Sequence, residues 1–151
     1  MRVAVLSDTH ASSLGQLPER VLEALGGVDL IVHAGDFTET AVLEGLRRLG
    51  EVRAVCGNMD SRPLRNMLPK KDVFTLSGKK IGLTHGWGPP FGIERLVRRS
   101  FEDVDVIIFG HSHRPCNRYI GQCLMFNPGR ARESFGLLTI EDGIKAEIVT
   151  L

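Results

Sequence analysis

Along the first third of the chain, short β-branched apolar runs alternate with stretches in which apolar residues recur every three or four positions. Arg2–Leu6 (RVAVL) is the first such run and predicts a strand. From Pro18 to Leu25, Val21, Leu22 and Leu25 share one helical face, and Gly26-Gly27 supplies the stop. Val28–His33 predicts a second buried strand, ending at Gly35-Asp36. A helix starting at Thr38 or Glu39 carries Val42, Leu43, Leu46 and Leu49, with Arg47-Arg48 in its last turn and Gly50 beyond. Glu51–Cys56 predicts a third strand, ending at Gly57-Asn58. A β-α-β-α-β order favours a parallel sheet with right-handed crossovers.

The second half changes period. Val73–Leu76 and Lys80–Leu83 flank Ser77-Gly78-Lys79 as a hairpin. Gly92–Phe101 predicts a short helix, and Val104–Phe109 a strand dominated by apolar residues. Arg118–Ile120 and Leu124–Phe126 bracket Gly121 as a strand pair, and Ser134–Ile140 and Ile144–Leu151 form a terminal hairpin around an Asp-Gly turn. The expectation is a mixed α/β chain, parallel early and antiparallel late, with two sheets packed together. No linker, repeat or low-complexity segment divides it, so residues 1–151 are read as a single domain.

Composition narrows the class. At 151 residues, with 42% hydrophobic and 25% charged residues, the chain is an ordinary globular domain rather than a disordered, collagen-like or coiled-coil one. Net charge is +1, which gives no strong signal for nucleic acid or an anionic membrane surface. Apolar runs are strand-length, far below the ~20 residues of a membrane span. Met1–Leu6 lacks the pattern of a secretion signal, so the expected location is cytoplasmic. Cys56, Cys116 and Cys123 form no C-x-x-C pair and read as reduced, structural thiols.

The chemistry lies in the short segments at the strand ends. Ser7-Asp8-Thr9-His10 comes after the first strand, His33-Ala34-Gly35-Asp36 after the second and Gly57-Asn58-Met59-Asp60 after the third. Thr84-His85-Gly86 and Gly110-His111-Ser112-His113 come after two later strands. Ligands of open parallel sheets gather beyond the carboxyl ends of the strands, so these clusters should converge. Asp8, His10, Asp36, Asn58, His85, His111 and His113 form an oxygen- and nitrogen-rich set without thiolate, suited to manganese, iron, zinc or nickel. Seven ligands are too many for one such ion but suit two ions sharing a carboxylate, the arrangement that clamps both oxygens of an in-line displacement. Two divalent ions would also leave a positive cleft, attractive to a phosphoester.

In this order SDTH, GD, GNMD, THG and GHSHRP, followed by Asn127-Pro128-Gly129, resemble the calcineurin-like metallophosphoesterases, and the resemblance covers essentially the whole chain. Within them it is similar to the small bacterial and archaeal phosphodiesterases, which share their fold with a retromer scaffold subunit. The resemblance implies a four-layer α/β/β/α sandwich, two mixed sheets flanked by helices, with a di-metal site at one edge. It places one ion on Asp8, His10, Asp36 and His113, and the other on Asp36, Asn58, His85 and His111, with Asp36 as the bridge. The expected cofactor is two divalent ions, manganese first, with nickel, zinc, iron and magnesium as alternatives. The expected reaction is hydrolysis of a small phosphodiester by in-line attack of a metal-bridging hydroxide, with Asn58 and His111 stabilising the transition state.

Three positions depart from that pattern. Met59 stands where many members carry a histidine, and can neither donate a proton nor carry charge. Trp87 stands where relatives often have a second histidine, and reads as a loop aromatic beside Gly88-Pro89-Pro90 or as a stacking platform for a nucleotide. Arg130 follows Asn127-Pro128-Gly129 and reads as a surface arginine or a phosphate contact. His33 is expected beside the ligands rather than among them, and Asp60 either orients a ligand histidine or fixes the turn before Pro63. The competing functions are a phosphomonoesterase or nucleotidase and a catalytically silent interaction scaffold of the same fold.

Overall fold

Strand β1 (Arg2–Leu6) is buried at every residue after Arg2, and it takes the centre of a sheet, where both faces are covered. The computed structural model describes residues 1–151. After β1 come α1 (Glu19–Leu25), β2 (Leu30–His33), α2 (Thr40–Leu49), β3 (Val52–Ala54) and α3 (Arg62–Met67). The second half holds β4 (Lys71–Leu76), β5 (Lys79–Thr84), α4 (Ile93–Arg98), β6 (Val106–Ile108), β7 (Cys116–Ile120) and β8 (Cys123–Asn127). A final hairpin, β9 (Ser134–Ile140) and β10 (Ile144–Thr150), returns to β1. One five-stranded sheet runs β10-β9-β1-β2-β3 and the other β4-β5-β6-β8-β7.

Both sheets are mixed, and helices flank them, so the chain is an α/β sandwich of four layers. Val3, Val5 and Val32 point inward from the first sheet and meet Ile81, Ile108 and Phe126 of the second. The alternate residues Ala4, Leu6 and Ile31 face outward and are covered by Val21 of α1, Leu43 and Leu46 of α2 and Leu64 of α3. On the far side, Ile107, Phe109 and Met125 pack against Ile93 and Val97 of α4.

Register is what makes a site of this sandwich. The parallel pairings set Leu6 opposite His33 and His33 opposite Ala54. In the other sheet Leu83 faces Ile108, which faces Phe126. Three loops therefore leave each sheet at one level, in the same direction, along one edge of the sandwich.

The elements differ from the sequence expectation mainly at their ends. The second helix begins at Thr40 rather than Thr38 or Glu39, because Thr38 has φ 77° and Glu39 is extended. The last helix shrinks to Ile93–Arg98, closed by a Ser100 hydroxyl on the Val97 carbonyl. The strand expected over Val104–Phe109 narrows to Val106–Ile108, since the Asp105 carboxylate accepts the Lys80 N–H at the rim of the sheet. Helix α3 was not expected at all. Of its six residues only Leu64 is buried, too little to show a helical period, and Pro63 sits in the first turn where its missing N–H costs nothing.

Candidate metal centre

Five of the loop residues leave the strands through left-handed backbone. Asp8, His10, Asp36, His111 and His113 have φ between 44° and 70°. Asp and His tolerate this region better than most residues, yet each such position still costs free energy. The strain turns their side chains back over the edge of the sandwich and into one another.

The Asp8 carboxylate lies at the middle of the cluster. Its Oδ2 accepts the Ser7 hydroxyl at 2.7 Å and the His111 N–H at 3.2 Å. Its Oδ1 has no hydrogen bond and faces three imidazoles, with Nε2 of His113 at 3.4 Å, His85 at 3.8 Å and His10 at 3.9 Å. Asp36 is used in the same divided way. Oδ1 accepts the Met59 N–H at 2.7 Å, while Oδ2 faces His85 Nε2 at 3.2 Å and His10 Nε2 at 3.8 Å. Two triads close enough to share an ion result: Asp8 with His10 and His113, and Asp8 with Asp36 and His85.

Hydrogen bonding settles which nitrogen His85 offers. His85 Nδ1 lies 2.7 Å from the Ala34 carbonyl, an acceptor only, so Nδ1 carries the proton and a neutral ring turns its Nε2 lone pair toward both carboxylates. A lone pair aimed at two buried carboxylates is repulsive unless a proton or a cation lies between them. Burial opposes a charged His85 ring, but Asp36 and Asp8 outweigh it and raise its pKa. Asp8 is pushed up chiefly by burial, whereas for Asp36 the contacts to His85 overcome burial and lower it. His10 Nε2 and His85 Nε2 join Asp8 Oδ1 as buried polar atoms without a hydrogen-bond partner. Carboxylate oxygen and imidazole nitrogen, unpartnered and converging, are the donor set of a divalent transition metal.

Asn58 and His111 stand at the exposed rim, with Asn58 Oδ1 3.3 Å from His111 Nδ1. His111 donates from Nε2 to the Gly88 carbonyl at 2.8 Å, so in the neutral ring Nδ1 turns a lone pair toward the Asn58 oxygen, two acceptors that no hydrogen bond joins. His33 is fully buried behind the cluster and stacked on Phe37. Its Nδ1 accepts the Gly35 N–H and its Nε2 meets the Thr9 hydroxyl, so it braces two ligand loops without facing the ion site. Arg130 is turned to Glu133, at 2.6 Å, and Trp87 is half exposed on its loop. The three cysteines are buried, unpaired and outside both triads.

Two further side chains, Asp60 and Asn127, tie the loops together. Asp60 accepts the N–H groups of Gly57, Asp36 and Thr38 at 2.7 to 3.1 Å, welding the loop after β3 to the loop after β2. It fixes a turn and orients Asp36 rather than a histidine. Asn127 spans the loops after β6 and β8, donating to the Gly110 carbonyl and Ser112 hydroxyl and accepting from Gly129 N–H. Arg132, which sequence reasoning passed over in favour of Arg130, donates to the His10 carbonyl at 3.2 Å.

Residues 1–143 match the family described as the calcineurin-like phosphoesterase superfamily domain. A probable metallophosphoesterase of Methanocaldococcus jannaschii is 35% identical, over 100% of this chain and 82% of its own length. Phosphodiesterase YfcE of Escherichia coli is 35% identical, over 85% of this chain and 78% of its own. Among solved structures, Vps29 of Entamoeba histolytica complexed with zinc superposes with a TM-score of 0.78 at 27% identity, covering 99% of each chain.

Proposed function

Because this chain belongs to the calcineurin-like phosphoesterase superfamily, we propose that it is a metal-dependent phosphodiesterase acting on a small phosphoester. The observation that carries the reading is the convergence of Asp8 Oδ1, His10 Nε2 and His85 Nε2, buried and without partners. In this reading Asp8, His10, Asp36 and His113 hold one ion, and Asp36, Asn58, His85 and His111 the other. Asp36 is the proposed shared ligand, its Oδ2 facing His10 of the first set and His85 of the second, while Asp8, common to both triads, faces the same two rings through Oδ1. Two divalent ions there would supply Lewis acidity, lowering the pKa of water toward neutrality and clamping the oxygens of an in-line displacement.

The protein's own groups prepare the site for that chemistry. Ser7 and the His111 N–H hold one oxygen of Asp8 and leave the other to point inward. Ala34 fixes the His85 ring by accepting its Nδ1 proton. In this reading Asn58 and His111, on the exposed rim, stabilise the phosphoryl oxygens as charge grows on them, Asn58 from its amide N–H groups and His111 through the ion it would hold, its Nε2 proton being taken by Gly88. The reaction breaks one P–O ester bond, forms one P–O bond from water and releases a phosphomonoester and an alcohol. Manganese is the preferred ion and the cytoplasm the proposed location, with residues 1–151 acting as one domain. No helix is long and apolar enough to cross a membrane.

The test is a panel of aryl phosphodiesters and phosphomonoesters assayed with manganese, nickel, zinc, iron and magnesium in turn. Diester hydrolysis that needs the metal and is lost in His113→Ala supports the proposal. Faster hydrolysis of monoesters makes the protein a phosphomonoesterase or nucleotidase. No turnover with any ion leaves the silent scaffold, the reading that likeness to Vps29 favours.

A further inference from the structure

The loop after β5 exposes aromatic surface that the metal centre does not use. Phe91 is 76% exposed and Trp87 47%, in a segment that also holds Pro89 and Pro90. The segment is shaped by Gly86, Gly88 and Gly92, with φ of 96°, 80° and 75°, values only glycine adopts without strain. It touches the 110–114 turn twice. His111 donates to the Gly88 carbonyl, and the Arg114 guanidinium lies over the Phe91 ring, 4.6 Å from its centroid. Arg114 directly follows His113 of the metal cluster. Its charge is uncompensated, since the arginine ion pairs of the chain are Arg53–Asp72 and Arg130–Glu133.

An exposed aromatic ring, a guanidinium stacked on it and a cluster suited to metal and phosphate therefore adjoin along one edge. We propose that Phe91, in the loop that also carries Trp87, and Arg114 form the subsite for the nucleoside of a nucleotide phosphodiester. This rests on the phosphodiesterase reading and adds the substrate class to it. The planar base stacks on the exposed surface of the ring–guanidinium pair, which is sequence-tolerant because every base has a π-face. The guanidinium N–H groups remain free at their edges to meet a carbonyl oxygen of the base, which an alkyl ester lacks. A glycerol or other alkyl diester offers nothing planar to this surface and leaves it wet. Phe91 and Arg114 set substrate preference and take no part in bond cleavage.

Two manganese-activated substrates with one leaving group separate the effects: thymidine 5′-(p-nitrophenyl phosphate) and methyl p-nitrophenyl phosphate. The wild type should prefer the thymidine ester in kcat/KM. Phe91→Ala and Arg114→Gln should each cut that preference about tenfold, with little change on the methyl ester. Both replaced side chains lie at the surface, and circular dichroism verifies that the variants fold. An unchanged preference in both variants overturns the proposal, as does an equal loss on both substrates. If Phe91→Ala leaves the preference intact but abolishes self-association in sedimentation velocity, the face is a protein interface and the subsite is wrong. A wild type inert toward both esters under every metal sinks the phosphodiesterase reading and this one with it.

Discussion

Met59 is 58% exposed beside Asn58, and its backbone N–H holds Asp36 while its thioether offers no proton. A departing aryl oxide needs little help, but an alkoxide leaves poorly without an acid. Met59→His should raise kcat on alkyl phosphodiesters by about 10²-fold and leave p-nitrophenyl esters within a factor of a few. Parallel rates on both ester classes would remove leaving-group protonation from the account. His33 shows the opposite relation of residue to solvent. Burial, reinforced by the neighbouring His85, lowers its pKa from 6.5 to about 3. Above pH 6.5 the ring is neutral folded and unfolded, and contributes no pH dependence. Between pH 6.5 and about 3 only the unfolded chain takes the proton, so each unit of acidification costs about 1.4 kcal/mol. At pH 5 this amounts to about 2 kcal/mol, and urea unfolding of His33→Gln should lack that part of the slope. Superimposable pH profiles for the two proteins would contradict the buried neutral ring.

At the scale of elements, the site depends on backbones that approach too closely for a side chain. A Cβ on Gly110 would lie 1.9 Å from the Ser7 hydroxyl and 2.9 Å from Asp8 Oδ2. Gly110→Ala should therefore displace Asp8 and weaken manganese binding by about 10- to 100-fold, with far-UV circular dichroism retained. Calorimetric titration reads the loss, and wild-type affinity would show that the loop after β6 can give way. Strands and hairpins were legible because their apolar residues carry a clear period and their ends carry glycine or Asp-Gly. The helix at Arg62–Met67 was not, because six residues burying only Leu64 hold no pattern to find. The start of α2 moved to Thr40 because the Thr38 N–H and hydroxyl bond to Asp60 and the Ala11 carbonyl, holding the backbone outside helical space.

Across the whole molecule, three apolar layers stabilise the fold independently of the edge where the carboxylates gather. That separation lets the site be electrostatically unfavourable without unfolding the sandwich. Burial raises the Asp8 pKa, so its ionised form destabilises the folded state above the ordinary carboxylate pKa, and the loss disappears as pH falls and the group protonates. Asp8→Asn should accordingly raise the melting temperature of chelator-treated protein at pH 7. The same variant should lose the stabilisation expected of manganese in the wild type, about 2.7 kcal/mol at a hundredfold excess over Kd. Scanning calorimetry with and without manganese tests both signs, and a variant still stabilised by the ion would remove Asp8 from the site. The chemical types of the candidate ligands, and their place after strands, could be read from the chain itself, because strand period and loop composition are local properties. Which nitrogen of His85 faces the carboxylates, how Asp60 joins two loops, and why Arg130 turns away while Arg114 meets Phe91 were decided only on folding. Those contacts join residues distant in sequence, brought together by strand register and by left-handed turns whose strain only the packed sandwich can sustain.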